Sequence, residues 1–342
     1  MDGIVLLAKQ PGITSFKSLN SVKKALNTKK VGHTGTLDSF AQGLMVVCVG
    51  KMTKLAGRIT EFDKSYEAVI KFGEETDTLE YTGKIIKTAE LPELKELEES
   101  VKKYTGVQMQ KPPLFSAIHV DGKRASDLAR QGNEAVIPER KIQVYSAQIM
   151  ETLLNEENKV LACRINFSVS KGTYIRSLAR DIAMDCGSAG HLIGLYRTKV
   201  GNFNITDAAG FSLMKDFNIQ NCLSEVKKWK EIKEKVSEHN LFVKDENFTL
   251  MDEIIKKDTV SKIKYFDEAT AAECGFESIH ILEERFSKDF KNGKPVLKQW
   301  FREIIDKITS DKLLAVFSDK NDFLGLIEKK DFKHFKYIFV VN

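Results

Sequence analysis

The chain has few of the residues that cross-link a protein through disulfides or metal ions. Its five cysteines lie far apart with no paired spacing, and its six histidines include no neighbouring pair of ligands. These absences argue against a disulfide framework and against a zinc site. We therefore expect five reduced, mostly buried thiols. The cysteines are Cys48, Cys163, Cys186, Cys222 and Cys274.

Long apolar runs are also missing. The run at the N-terminus follows Asp2 and stops at Lys9, which is too short for a signal peptide or a membrane span. We expect a cytoplasmic protein that does not enter a membrane. The formal net charge of +5 decides less, because it suits a polyanionic partner and an ordinary soluble enzyme equally well.

The length of the chain predicts two domains. A chain of 342 residues with 42% hydrophobic residues can fill more than one core, since single cores stop growing beyond roughly 250–300 residues. Lysine and glutamate become dense from Glu225 to Glu238, and no glycine occurs between Gly210 and Gly275. Such a stretch is typical of a connection between domains. We predict one domain over residues 1–238 and a second over residues 239–342.

Hydrophobic periodicity predicts the main elements. Ser15 is a candidate N-cap for a helix with Phe16, Leu19 and Val22 on its apolar face. Further helices are predicted at residues 94–104 and from residue 174 onward. Strands are predicted at residues 4–7, 44–49, 66–72 and 160–169. Near the C-terminus, a polar turn joins residues 313–317 to residues 323–327 as a hairpin.

The densest functional signal is the segment from Gly32 to Gly43, where three glycines accompany a histidine, two threonines and Asp38 just before a buried strand. Such a loop presents polar side chains from a rigid base. One alternative is a turn in which Asp38 only accepts bonds from neighbouring amides. A phosphate-binding loop is excluded, because the spacing to Gly50 is too long and Met52 stands where serine or threonine must bind magnesium.

The same segment resembles the hallmark motif of TruB-type pseudouridine synthases. Further matches follow in the order expected for that family across most of residues 3–205, which one chance motif would not produce. They are Lys9, Gly12, Thr14-Ser15, Gly50, Thr53-Lys54, Lys64, Tyr66, Gly73, Thr76-Asp77, Pro112-Pro113, Ser116-Ala117, Asp121 to Arg124, Ala129-Arg130, Gly132, Ser170 to Arg176, Arg197-Thr198, Gly201 and Phe203.

The resemblance implies an α+β fold with a mixed, largely antiparallel sheet in the catalytic domain and an RNA-clamping insertion around residues 112–140. The C-terminal region resembles a small, β-barrel-like RNA-binding domain of the PUA type; a generic β-rich accessory domain is the alternative. The implied protein is a monomer that converts uridine 55 in the T-loop of tRNA to pseudouridine. Its partner is the T-arm, and the reaction uses no metal and no small-molecule cofactor.

The resemblance also implies the catalytic residues. Rejoining uracil to ribose through carbon requires a nucleophile that attacks the sugar or the base, and Asp38 corresponds to the aspartate of the family. A buried carboxylate stays ionised when a cation pairs with it, and in the family pattern this cation corresponds to Arg176. Tyr66 corresponds to the tyrosine that stacks on the target ring. A solvated arginine and a packed strand tyrosine are the alternatives for the last two.

Six residues are candidates for RNA contact. The target uridine must leave its helix, and His33 corresponds to the side chain that fills the gap. The basic candidates for phosphate contact lie near the N-terminus and in the insertion, and Tyr174 lies at the start of a helix. A loop histidine bonded to backbone and solvated basic groups are the alternatives. The candidates are His33, Lys9, Lys123, Arg124, Arg130 and Tyr174.

The chain departs from the family pattern at five positions and leaves two other functions open. Departures occur at Gln10, Ser39, His119, Ser126 and Tyr196, which concern RNA affinity and loop rigidity rather than Asp38. A guide-RNA-dependent relative is disfavoured, because such relatives carry basic terminal extensions. A tRNA-binding or folding module without catalysis is the other alternative, and an activity assay distinguishes it.

Overall fold

The computed structural model describes residues 2–116, 119–120, 123–124, 137–239, 247–308, 312–331 and 334–341. These ranges form an α+β fold with one large mixed sheet and a C-terminal sheet, as predicted. The helices are α1 (Ser15–Ala25), α2 (Ala56–Thr60), α3 (Leu94–Lys103), α4 (Ile175–Asp185), α5 (Ile219–His239), α6 (Asn247–Lys262), α7 (Glu268–Glu273) and α8 (Glu284–Lys291).

The strands include each of those predicted from the sequence. They are β1 (Gly3–Lys9), β2 (Val31–His33), β3 (Gln42–Val49), β4 (Lys64–Phe72), β5 (Glu74–Thr76), β6 (Ile85–Thr88), β7 (Gly106–Gln110), β8 (His119–Val120), β9 (Lys123–Arg124), β10 (Arg140–Leu154), β11 (Val160–Val169), β12 (Gly190–Val200), β13 (Phe203–Asn204), β14 (Lys264–Tyr265), β15 (Glu277–His280), β16 (Leu313–Phe317), β17 (Phe323–Lys329) and β18 (Phe335–Val340).

The large sheet places distant parts of the sequence side by side. Its order is β14-β1-β3-β12-β4-β11-β10-β7, with β2 attached to β3 and β13 attached to β12. Its pairings are antiparallel except for the one between β12 and β3. The sheet is therefore mixed and largely antiparallel, which confirms the predicted class. Because β12 enters between β3 and β4, it comes next to the loop that precedes β3.

The central strands are buried on both faces, which explains their nearly continuous apolar sequence. Along β1, Val5 and Leu7 join a core with α1, α3 and α4, whereas Ile4 and Leu6 join a core on the opposite face. Alternate residues of a strand point to opposite faces, so one strand serves both cores. The two layers of side chains hold the sheet rigid behind the loop at Asp38.

The C-terminal sheet packs on the large sheet through the second of these cores. It has the order β15-β16-β17-β18, and the predicted hairpin of β16 and β17 is confirmed. Phe317 and Leu326 belong to the same core cluster as Leu6 and Leu44 of the large sheet. Before reaching this sheet, the chain forms α6 and then pairs β14 with β1. The predicted boundary at residue 238 therefore does not coincide with the change of sheet, and residues 264–265 still belong to the large one.

Two local predictions are corrected. Phe16 does not lie on the apolar face of α1 but is 67% exposed, since α1 packs through Leu19 and Val22. Thr14 rather than Ser15 caps the helix, because the Thr14 hydroxyl accepts from the Lys17 amide. The lysine- and glutamate-rich stretch lies within helix α5, and its role as a connection between domains stays a prediction. No helix of the described ranges is long and apolar enough to cross a membrane.

Candidate active site

The loop between β2 and β3 carries Asp38 and depends on glycine at both ends. Gly35 and Gly43 have φ values of 148° and 117°, which other residues rarely adopt. A Cβ atom on Gly43 would stand 2.4 Å from the Arg197 carbonyl oxygen, because β12 approaches the loop closely there. The loop thus turns sharply over β12 and presents Asp38 above the large sheet.

Buried donors from three elements fix the backbone of this loop. Arg197 of β12, 3% exposed, donates to the carbonyl oxygens of Leu44 at 2.7 Å and Gly35 at 3.1 Å. The Ser15 hydroxyl donates to the Leu37 carbonyl at 2.8 Å and accepts from the Leu37 amide at the same distance. Carbonyl and amide groups that would otherwise be buried without partners are satisfied in this way.

Lys9, at the end of β1, is the third of these buried donors. Its ammonium group donates to the carbonyl oxygens of Ala41 at 2.6 Å, Gln10 at 3.1 Å and Ser39 at 3.2 Å, and the residue is 1% exposed. These three acceptors match the three donors of an ammonium group. The sequence predicted a phosphate contact for Lys9. That expectation does not agree with its position, because the group lies under the loop and is already occupied.

Asp38 and Arg176 form a two-point ion pair. The Arg176 Nε lies 2.9 Å from Asp38 Oδ2, and Nη2 donates to Oδ1 at 3.3 Å. The remaining guanidinium donors reach the carbonyl oxygens of Thr78 and Phe115, each at 2.9 Å. The arginine is 5% exposed, whereas the Asp38 side chain is 33% exposed. The pair is therefore held from behind, and the carboxylate stays open on its other side.

The open side of Asp38 faces a cavity of about 320 Å³, within the range of small-molecule sites. Tyr66, on β4, is 9% exposed and presents its side chain to this cavity. Tyr174, just before α4 begins, also lines this cavity. A planar ring that entered the cavity would meet an aromatic surface and a carboxylate together. The lining residues are Gly35, Thr36, Leu37, Asp38, Thr60, Lys64, Tyr66, Phe115, Ser116, Val169, Ser170, Gly172, Thr173, Tyr174, Ile175, Arg176, Leu195 and Arg197.

The surroundings shift several pKa values. Burial and, to a smaller extent, the Arg197 guanidinium lower the pKa of Lys64 to about 8. Burial lowers the pKa of Lys9 to about 7, although the charge of Asp38 opposes this change. Burial also raises the pKa of the Glu80 carboxyl, where the Thr82 hydroxyl and Arg176 act in the opposite direction. The site therefore combines few exposed charges with several desolvated ones, as enzymatic sites often do.

Comparison with known proteins decides the family. Residues 23–175 match the model of the TruB family pseudouridylate synthase N-terminal domain. Over 332 residues, the chain is 39% identical to the tRNA pseudouridine synthase B of Treponema denticola, an alignment that covers 90% of this chain and 88% of that protein. The chain belongs to the TruB family.

Other TruB-family relatives agree with this assignment. The chain is 44% identical over 208 residues to the tRNA pseudouridine synthase B of Borreliella burgdorferi, covering 60% of this chain and 72% of that protein. Among solved structures, a chain of a Cbf5–Nop10–Gar1 complex superposes with a TM-score of 0.61 at 21% identity, covering 99% of this chain and 84% of that one. The latter likeness concerns the fold alone.

The structure brings together the three predicted catalytic residues of this TruB-family protein and one predicted RNA-contact residue, Tyr174. Asp38, Tyr66, Arg176 and Tyr174 all line the cavity. His33 lies at the end of β2, partly exposed, with its Nδ1 facing the Gly35 amide at 3.4 Å. Burial lowers the His33 pKa and the Arg197 charge lowers it further. The side chains of Lys123 and Arg124, and the whole of Arg130, lie outside the described residues.

Sequence reasoning assigned no role to three charged groups near the site, of which Arg197 and Lys64 are buried and Glu80 is partly exposed. Arg197 and Lys64 lay in matched segments, but nothing in the segments showed that one reaches loop carbonyls and the other lines the cavity. Glu80 gave no signal, because a glutamate in a polar turn is ordinary. An arginine inside the apolar run of β12 was the one available sign, since buried charges need partners.

Proposed function

We propose that this protein isomerises uridine 55 in the T-loop of tRNA to pseudouridine, with Asp38 as the nucleophile. The observation that carries the proposal is a partly exposed carboxylate whose two oxygens both bond to a buried arginine, in a cavity that two tyrosines also line. Membership of the TruB family and relatives named tRNA pseudouridine synthase B support the reaction and the substrate class.

The reaction needs one nucleophile and no external reagent. The bond between N1 of uracil and C1′ of ribose breaks, and a bond between C5 and C1′ forms. The proton lost from C5 is balanced by one gained at N1, so the process is an isomerisation. The Asp38 carboxylate attacks the sugar or the base to allow the exchange. Arg176 aligns that carboxylate, because its planar fork binds both oxygens.

The cavity suits a base that has left its helix. Extruding a nucleotide costs a few kcal/mol, which stacking inside the site offsets. Tyr66 and Tyr174 line the same cavity as Asp38, so either ring is available for such stacking. His33 precedes the Asp38 loop and is partly exposed, so it can occupy the space that the uridine leaves in the RNA. The T-arm would then cover the mouth of the cavity.

One assay tests this function and separates it from the alternatives. Purified protein is incubated with unmodified tRNA transcript, and pseudouridine is mapped along the RNA. We expect conversion at uridine 55, none in a transcript with cytidine at that position, and none with Asp38→Asn. A protein that binds the transcript but converts no uridine would be a binding module. Conversion only in the presence of a separate guide RNA would indicate the guide-dependent type.

A further inference from the structure

The N-terminal region next to the candidate site has charges of one sign. Between Asp2 and Asp38 the sequence contains six lysines and no aspartate, glutamate or arginine. Lys9 is buried, and Lys24 lies 3.7 Å from Asp252 of α6. Within the described part of the chain, the other four pair with no carboxylate. They are Lys17, Lys23, Lys29 and Lys30.

Helix α1 presents an aromatic ring within this basic region. Phe16 is 67% exposed, and the Lys23 ammonium lies 4.5 Å from the centroid of its ring. Asn20 stands between them in sequence and is exposed. The spacing of four and then three residues places all three side chains on one face of the helix. We call Phe16, Asn20 and Lys23 the α1 stripe.

The α1 stripe begins beside the loop between β2 and β3 that carries Asp38. The residue before Phe16 is Ser15, whose hydroxyl is bonded twice to Leu37, the neighbour of Asp38. The Gly12 amide also donates to the Ser39 carbonyl at 2.8 Å. Lys23 follows Phe16 by seven residues, so the α1 stripe leads away from Asp38 along about 10 Å. An RNA whose base enters the cavity would have neighbouring nucleotides within reach of it.

We propose that the α1 stripe is a second contact surface for the RNA substrate, with Phe16 stacking on an unpaired base and the lysines binding phosphates. The proposal rests on the proposed function, because it assumes that an RNA occupies the cavity. An exposed aromatic ring amid unpaired cations is the combination that single-stranded nucleic acids bind. A single exposed phenylalanine alone would need no explanation. Its basic surroundings and its attachment to the loop are what point to RNA.

A tRNA transcript with unpaired bases and a fully paired RNA duplex distinguish stacking on Phe16 from the binding of phosphates by the lysines. Phe16→Ala is expected to weaken binding of unmodified tRNA transcript about tenfold, and to leave binding of a fully paired RNA duplex unchanged. Phe16→Trp keeps a ring and should restore the affinity. Leu250→Ala is the matched control, since Leu250 is also 67% exposed and lies on α6, two residues before Asp252. That control should bind both RNAs as the wild type does.

Salt dependence tests the lysines. Lys23→Gln should weaken both RNAs, and the slope of log K against log salt should fall by about 0.7–0.9, as expected for one lost phosphate contact. Lys257→Gln, an exposed lysine of α6, should leave the slope unchanged. The loss should appear in the dissociation constant far more than in the conversion rate at saturating protein.

The results distinguish this inference from the proposed function. Wild-type affinity for tRNA in Phe16→Ala, or an equal loss in Leu250→Ala, would overturn the stacking role. An unchanged salt slope in Lys23→Gln would overturn the phosphate role. In both cases the wild type would still convert uridine 55. Failure of the wild type to convert any tRNA would instead overturn the proposed function, whatever the variants bind.

Discussion

Two buried arginines hold the Asp38 loop, and they do so by different interactions. Arg176, in the first turn of α4, binds the carboxylate of Asp38 with two nitrogens. Arg197, in β12, binds only backbone carbonyl oxygens, those of Leu44, Gly35 and Thr36. They are 5% and 3% exposed, so burial does not distinguish them. Their partners do.

This difference separates the effect of a positive charge on Asp38 from the effect of an arginine's shape on the backbone of the loop. Next to Asp38, a positive charge is needed wherever the carboxylate is ionised, and the arginine fork adds alignment. Among the described residues, no side-chain carboxylate pairs with Arg197, so its contribution is to satisfy buried carbonyls and hold the backbone turn. A substitution that keeps charge but loses the fork should therefore affect the two sites differently.

The largest expected effect removes the carboxylate to which Arg176 binds. Asp38→Asn preserves the shape of the side chain but makes it a poor nucleophile, so conversion of tRNA should fall by on the order of 10⁴-fold or more. Binding of tRNA should change only modestly. Single-turnover conversion and a binding isotherm measure the two. Near-normal turnover would remove Asp38 from the mechanism.

Substitution of Arg176 should have the next largest effect. Leucine removes the cation and both bonds that align the partly exposed Asp38 carboxylate, so conversion should fall by roughly 10²- to 10³-fold. Arg176→Lys keeps the charge and should retain more activity than leucine, while remaining below the wild type. Arg180→Leu, one turn later and paired with Asp181, is the control. Equal rates in all variants would make Arg176 an ordinary helix residue.

Substitution of Arg197 should act through structure. Arg197→Met leaves buried carbonyls without donors, which should lower the free energy of unfolding by about 2–5 kcal/mol and slow conversion by roughly 10- to 100-fold. Lysine cannot span Leu44 and Gly35, so Arg197→Lys should restore little. Thermal unfolding and single-turnover rates test this, with the half-buried Arg164→Met as control. If lysine rescues Arg197 as well as it rescues Arg176, the distinction between charge and shape is wrong.

The smallest effect concerns Lys9, the third cation of the loop. Its pKa of about 7, against 10.5 in the unfolded chain, means that the folded protein binds fewer protons between those values. Stability should therefore gain from this group as pH rises across that window. Lys9→Met lacks this contribution, so its melting temperature should rise less between pH 7 and 10. Lys17→Met, an exposed lysine, should keep the wild-type slope; an equal slope in Lys9→Met would contradict the argument.

Local pattern was sufficient for much of the fold. The residues of β1, β3, β4, β11 and the C-terminal hairpin form apolar or alternating runs, and the predicted strands agree with the structure. The strand β10 was not predicted. Its pairing with β11 shifts register three times, and each irregularity resets the alternation on which prediction depends.

Exposure was harder to predict than structure. Phe16 fits the apolar periodicity of α1, yet it points to solvent, because the helix needs only Leu19 and Val22 to cover the sheet beneath it. Lys9 was expected at the surface and is buried under the loop. Periodicity states which residues share a face, but it does not state where that face meets another element.

The sequence by itself determined the residues of the loop, the glycines at its turns, the order of the family motifs and the class of fold. The resemblance implied that Arg176 pairs with Asp38, but no local pattern showed that Arg197 supports the same loop. Arg176 is 138 positions from Asp38, and Arg197 is 153 positions from Leu44. Both meet the loop because β12 enters the sheet between β3 and β4, and because α4 packs across the same face. Strand order is set by the packing of the whole sheet, which no local segment specifies.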